Sequence, residues 1–182
     1  MGTLLAGAAA VAVRAEGPLA PGVGEPAPAW EVGGWINSDP LSVADLKGKV
    51  VLVRFWTAPG CPYCRNSAPA LADFAKRYGG QGLEVVALYH HKARTPLDEA
   101  EVAHWAAEYG FTFPVAIDRG WKTLRRWWLD REDQEAAWTS VSFLLDRDGV
   151  IRHVHPGGQY VEGDDDHAAM ETAIRALLAE EG

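Results

Sequence analysis

At 182 residues the chain is long enough for one domain with a sizeable core. Seventeen Lys and Arg against twenty-five Asp and Glu leave a net charge of −8, which argues against nucleic acid or an anionic membrane surface as the main partner. No internal repeat is visible, so the elements can be taken singly from the N-terminus.

Leu4 to Val13 is small and apolar, the length of a signal-peptide core and too short to span a bilayer comfortably. Ala8-Ala9-Ala10 and Ala10-Val11-Ala12 offer small-residue cleavage patterns, although the first basic residue, Arg14, follows the apolar run rather than preceding it. The reading is an extracytoplasmic protein, in the bacterial periplasm or held by N-terminal membrane anchoring and facing it. A cytoplasmic chain with a chance alanine-rich start is the alternative. Having no spare cysteine suits an oxidising compartment. Gly17 to Ala29 is rich in Pro and Gly and reads as a linker. The chain thus divides into a signal-like segment with linker over 1–24 and a folded domain over 25–182.

Val50 to Trp56 is apolar except for Arg54, as a strand covered on both faces should be. After a short turn come Cys61-Pro62-Tyr63-Cys64, the two cysteines of the chain, and then helix-forming residues from Ala68 to Tyr78. Residues i and i+3 share one face of a helical turn, so both sulfurs can come within bonding distance as a disulfide. With Cys61 at the helix start, unpaired backbone N–H groups and the helix dipole stabilise its thiolate, the attacking species in disulfide exchange. Pro62 suits the first helical position, where a missing N–H costs nothing. Cys64, one turn inside, is then the more buried and resolves the mixed disulfide. A structural disulfide and half of a zinc site are the plainer readings. A bridge across two residues closes too short a loop to stabilise much. Zinc needs four ligands, and the histidines at 90, 91, 104, 153, 155 and 167 lack the usual paired spacing, so neither metal nor cofactor is expected.

Leu83 to Tyr89 reads as the next strand. His90 and His91 follow it, at the strand end where parallel sheets build their sites, so one imidazole, His90 first, is a candidate to approach Cys61. Thr95-Pro96-Leu97-Asp98 predicts a helix with Thr95 as N-cap, running to Tyr109 and stopping at Gly110. Phe113 to Ile117 reads as a third strand, with Asp118 at its end, and Trp121 to Leu129 as a short helix. Trp121, Trp127, Trp128 and Trp138 are assigned to the core. Ser142 to Leu145 and Val150 to Val154 flank Asp146-Arg147-Asp148-Gly149, a hairpin signal. His153 and His155 alternate along the second of these strands. Met170, Ile174, Leu177 and Leu178 set an apolar stripe on a closing helix. Strands alternating with helices and ending in a hairpin plus helix give an α/β domain with a mixed sheet.

Leu46-Lys47-Gly48-Lys49 leading into Val50 to Val53, then Phe55-Trp56, the cysteine pair and Ala68-Pro69-Ala70-Leu71 resemble the thioredoxin-fold thiol-disulfide oxidoreductases of the TlpA/ResA-like (redoxin) family. Phe143 to Gly149 is similar to that family's penultimate strand and turn, and His155-Pro156-Gly157-Gly158-Gln159-Tyr160 to a segment after the last strand in some redoxins. The resemblance implies a thioredoxin-like fold, a central mixed β-sheet flanked by helices. It also implies dithiol/disulfide exchange through Cys61 and Cys64, protein thiol or disulfide substrates, an upstream redox partner and a monomer. Trp56, Pro62 and Tyr63 would line the site. Pro69 falls where the family kinks its active-site helix, as a mid-helix Pro does by removing a hydrogen bond.

The departures from that family are informative. Ser140 stands where a cis-Pro usually faces the cysteines; a cis bond there would cost about 3–4 kcal/mol, so Thr139–Ser140 is expected trans, with both residues in the facing loop. Ser67 stands where the family often has Glu. Arg54 stands where thioredoxin has an acid, and a buried cation there would favour a thiolate, which makes Arg54 a thiolate-tuning candidate. Ala58-Pro59-Gly60 is one residue longer than usual. Pro62-Tyr63 between the cysteines is similar to glutaredoxin, whose Thr-Val-Pro loop is absent. Two alternatives stay open. A thiol peroxidase is suggested by the resemblance of Thr57 and Pro59-Gly60-Cys61 to peroxiredoxins, though Ala58 occupies their Thr position. A non-catalytic thioredoxin-fold binding module is suggested by the tryptophan-rich segment 121–138 and the missing proline, and opposed by the intact cysteine pair.

Overall fold

The computed structural model describes residues 22–130 and 138–180, so the signal-like reading of Leu4 to Val13 lies outside the described residues. The architecture grows from strand β2 (Val50–Trp56), every residue of which is buried. It pairs in parallel with β3 (Leu83–Tyr89) and antiparallel with β5 (Ser142–Leu145), so that Val53 lies opposite Val86 on one side and Phe143 on the other. β3 carries β4 (Val115–Ile117) in parallel, and β4 carries the two-residue β1 (Trp35–Ile36) antiparallel. β6 (Ile151–His155) closes the other edge against β5, giving a mixed sheet in the order β1-β4-β3-β2-β5-β6.

Alternation along β2 sends Val50, Leu52 and Trp56 to one face and Val51, Val53 and Phe55 to the other. The first face is covered by α1 (Pro62–Tyr78), α2 (Glu99–Glu108) and α4 (Asp165–Ala179), through residues such as Leu71, Phe74, Ala106, Met170 and Ile174. The second face is covered by Trp30, Leu124, Trp127 and Trp128. Burial on both faces is why the β2 sequence reads as a continuous apolar run; each large side chain so removed from water contributes about 1.5–3 kcal/mol.

Several elements differ from the sequence expectation. Helix α2 starts at Glu99, not after Thr95, because the Asp98 carboxylate accepts the Ala100 N–H at 2.9 Å. Its end agrees: Tyr109 is the last cap residue and Gly110 follows at φ +75°. β4 is shorter than Phe113 to Ile117, since Pro114 has no N–H to give a ladder; only its carbonyl joins, accepting Ala87 N–H at 3.0 Å. Trp121 has φ +60° and lies outside the helix, which comprises α3 (Lys122–Leu124) continued by a π-helical turn (Arg125–Leu129). The last strand runs one residue later than expected at both ends. Of the four tryptophans assigned to the core, Trp127 and Trp128 are buried, Trp121 is half-buried and Trp138 is 52 % exposed.

Candidate active site around Cys61 and Cys64

β2 delivers the chain to the rim of the sheet, and Thr57 to Gly60 turns it into α1. Cys61 is the N-cap residue of that helix, with extended backbone, and Pro62 takes the first helical position. The Cys61 Sγ accepts the Cys64 N–H at 3.2 Å, so the sulfur sits where the helix presents its unpaired donors. Cys61 and Cys64 are joined in a disulfide with Cα atoms 5.3 Å apart. Cys64 is 2 % exposed and Cys61 is open to solvent on one side. The helix runs unbroken through Pro69, which is exposed.

Two recesses flank Cys61. One, of about 140 Å³, lies between Cys61, Pro62, Arg65 and Tyr109. The other, of about 280 Å³, lies between Cys61, Tyr63, Lys92, Trp138, Thr139 and Ser140. The exposed Trp138 ring stands edge-on to Tyr63, centroids 5.2 Å apart. Ser140 is buried behind it. The peptide bond before it is trans, the cis bond of this region being Ala58–Pro59. The Ser140 hydroxyl accepts the Gly158 N–H at 3.1 Å and lies 3.3 Å from the Gly158 carbonyl as donor. That clasp brings Gly157 so near Trp138 that an added Cβ would stand 2.2 Å from the Trp138 Cβ.

Under the cysteine turn lies a polar network centred on Arg54, which is fully buried on the α1 face. Its Nη1 donates to Ser142 Oγ at 3.2 Å, and its Nη2 to the Gly158 carbonyl at 2.8 Å and to Ser67 Oγ at 3.4 Å. Ser67 in turn donates to the Tyr63 carbonyl at 2.9 Å and accepts the Tyr160 N–H. The guanidinium lies over the Tyr160 ring, 5.0 Å from its centroid. Burial lowers the Arg54 pKa and pushes the Tyr160 phenol up, so the phenol is neutral.

The other sequence candidates fall differently. Trp56 is buried in the core against Tyr89 and Phe111 rather than lining a recess. His90 is fully buried with its ring edge-on to Trp121, and neither ring nitrogen has a hydrogen-bond partner among the described residues. Burial, helped by the nearby Lys92 and Arg54 charges, lowers its pKa to about 3, so it is neutral at ordinary pH. Its neighbour His91 is the one linked to the site, through Tyr89, whose hydroxyl contacts His91 Nδ1 and donates to the Ala58 carbonyl. Asp118 is turned to the helix after it, accepting the N–H groups of Thr123 and Leu124. Lys92, Tyr89, Trp138 and the Gly158–Tyr160 segment were not singled out by sequence as site residues. Tyr89 and Lys92 lie at and just past a strand end, a positional signal, and Gly158 to Tyr160 fall in the redoxin-like segment; nothing in the sequence pattern tied Trp138 to the cysteines.

Residues 23–154 match the model of the AhpC/TSA family. Protein DipZ of Mycobacterium tuberculosis is 30% identical over 148 residues, covering 80% of this chain and 19% of that protein. Thiol-disulfide oxidoreductase ResA of Bacillus anthracis is 31% identical over 113 residues, covering 61% of this chain and 57% of that one. The chain therefore spans only part of the length of either relative. Among solved structures, a thiol-disulfide isomerase from Corynebacterium glutamicum superposes with a TM-score of 0.63 at 30% identity, covering 85% of this chain and 98% of that chain.

Proposed function

The chain belongs to the AhpC/TSA family, with a thioredoxin-like α/β fold, and from that premise we propose that it is a thiol-disulfide oxidoreductase working through Cys61 and Cys64. The observation that carries the reading is the asymmetry of the pair. One sulfur is accessible, caps a helix and accepts a backbone N–H; the other is buried one turn behind it and bonded to the first. In the reduced state the Cys61 thiolate attacks a substrate disulfide, and Cys64 then attacks Cys61 Sγ to release the substrate as a dithiol. In the opposite direction an incoming thiolate reaches Cys61 first, since Cys64 is covered. Thr139 and Ser140 form the wall facing the pair, and Pro62 and Tyr63 its near edge.

A thiol peroxidase would need a hydroxyl three residues before Cys61. Ala58 holds that place, and its carbonyl is taken by Tyr89, so exchange is the reading the geometry favours. The same proposal includes protein thiol or disulfide substrates, an upstream redox partner, a monomer and an extracytoplasmic setting. No helix among the described residues is long and apolar enough to cross a membrane.

The test is a pair of variants mixed with oxidised glutathione. Cys64→Ser is expected to accumulate a mixed disulfide on Cys61, seen by mass; Cys61→Ser should lose exchange by roughly a thousandfold or more, the scale of a removed nucleophile. A mixed disulfide forming instead on Cys64 would overturn the assignment of roles.

A further inference from the structure

Arg54 is a full charge in the interior to which the exchange reaction, as just described, gives no task. Its described acceptors are all neutral: two hydroxyls and one carbonyl. Its Nε has no acceptor at all among the described residues. Taking a guanidinium out of water without an anion is costly, and the Tyr160 ring face beneath it offsets only part of that cost, so an anion arising nearby would be held strongly. The neighbouring titratable groups supply none. The Tyr160 phenol is pushed up by burial, and His90 and His155 are lowered by burial and by Arg54 itself. His155 also meets the exposed Asp166 carboxylate at 3.5 Å.

The cysteine pair can supply it. Leu52 and Trp56, two residues to either side of Arg54 and on the same face of β2, share a packed cluster with Cys64. Arg54 is also linked to the turn directly, through Ser67 to the Tyr63 carbonyl, the peptide group that joins Tyr63 to Cys64. In the disulfide the sulfurs are uncharged; on reduction one becomes a thiolate, and the Arg54 charge acts on it through the buried Cys64 and the packed cluster, where water screens little.

We propose that Arg54 is the built-in counter-charge of the reduced pair, a positioning residue that stabilises the thiolate and so makes the oxidised pair an acceptor of electrons from dithiol substrates. This rests on the exchange reading above and adds its direction. A substrate thiolate attacks Cys61 Sγ, and the Cys61–Cys64 bond breaks with its electron pair leaving on Cys64. A second substrate thiolate attacks the first substrate sulfur, and Cys61 leaves with the pair of the mixed disulfide. The substrate becomes a disulfide and the cysteine pair takes up two electrons. Of the two substrate protons, one ends on Cys64 and one passes to solvent, leaving the Cys61 thiolate in the field of Arg54 and the helix start.

The experiment is the equilibrium of the full chain with glutathione redox buffers, read as alkylation mass shifts, for the wild type, Arg54→Met and Arg54→Lys. Arg54→Met is expected to shift the equilibrium towards the oxidised form by at least tenfold, about 30 mV for a two-electron couple, with Arg54→Lys closer to wild type. The Cys61 thiolate titration should move up in pH in the same order. An Arg54→Met equilibrium within twofold of wild type would overturn the proposal. Because loss of Arg54 can also prevent folding, the wild type alone gives a second readout in denaturant: its reduced form should be more stable than its oxidised form, and the reverse order overturns the proposal. Failure of the wild type to equilibrate with glutathione would remove the exchange reading and this inference together; equilibration indifferent to Arg54 would remove only the inference.

Discussion

Trp138 is a large aromatic residue left half in water, two residues from Ser140 and against Tyr63 beside Cys61. Aromatic side chains in such positions anchor partner chains, and truncation of an anchor costs on the order of 1 kcal/mol or more. Trp138→Ala is therefore expected to lower kcat/KM for a protein disulfide by about three- to tenfold while leaving exchange with glutathione nearly unchanged, as steady-state comparison of the two substrates would show. His90 makes a prediction of a different kind. An unfolded histidine titrates near pH 6.5, whereas this one holds its proton only near pH 3, so between those values the unfolded chain binds more protons. Stability contributed by the neutral ring is thus complete above about pH 6.5 and falls as pH drops towards 3, by up to roughly 5 kcal/mol. Denaturant titrations at pH 7 and pH 4 should show that loss, and His90→Leu should flatten it. The cysteine pair was legible in the sequence because its chemistry lives in a spacing of three. The surroundings of Arg54 were not, since its partners Ser142 and Gly158 lie 88 and 104 residues away. Trp138 was misassigned because a hydrophobic residue in a loop carries no periodicity to say which way it faces.

The start of α2 shows how two local signals compete. Thr95 followed by Pro96 has the residue types of a helix start, but Asp98 captures the cap by giving its carboxylate to Ala100. Asp98→Ala should cost about 1 kcal/mol in a chemical denaturation and Thr95→Ala next to nothing. The long elements β2, β3, α1 and α4 were readable because each repeats its pattern over several turns or pleats. The two-residue β1 offers no period to detect. The helix after β4 was readable as helix but not in its form. Consecutive residues of a regular helix point about 100° apart, yet Trp127 and Trp128 are both buried, and the π-helical turn that contains them is what the sequence pattern could not announce.

Across the whole molecule, one sheet separates two apolar clusters, and the exchange site stands where the rim of that sheet meets the start of α1. The fold class was legible because alternating strands and helices with a terminal hairpin admit few arrangements. The polar seam beneath the cysteines was not, because β2, β5 and the 156–160 segment meet only once the sheet has formed. A last consequence comes from the recesses on either side of Cys61. Each holds a cation at its edge, Arg65 in one and Lys92 in the other, on a molecule whose net charge is −8. An acidic partner is repelled at long range and welcomed only at the mouth, so its approach is funnelled by orientation. Within the roughly 8–10 Å over which physiological salt leaves a field intact, the sulfur is the place such a partner is drawn to.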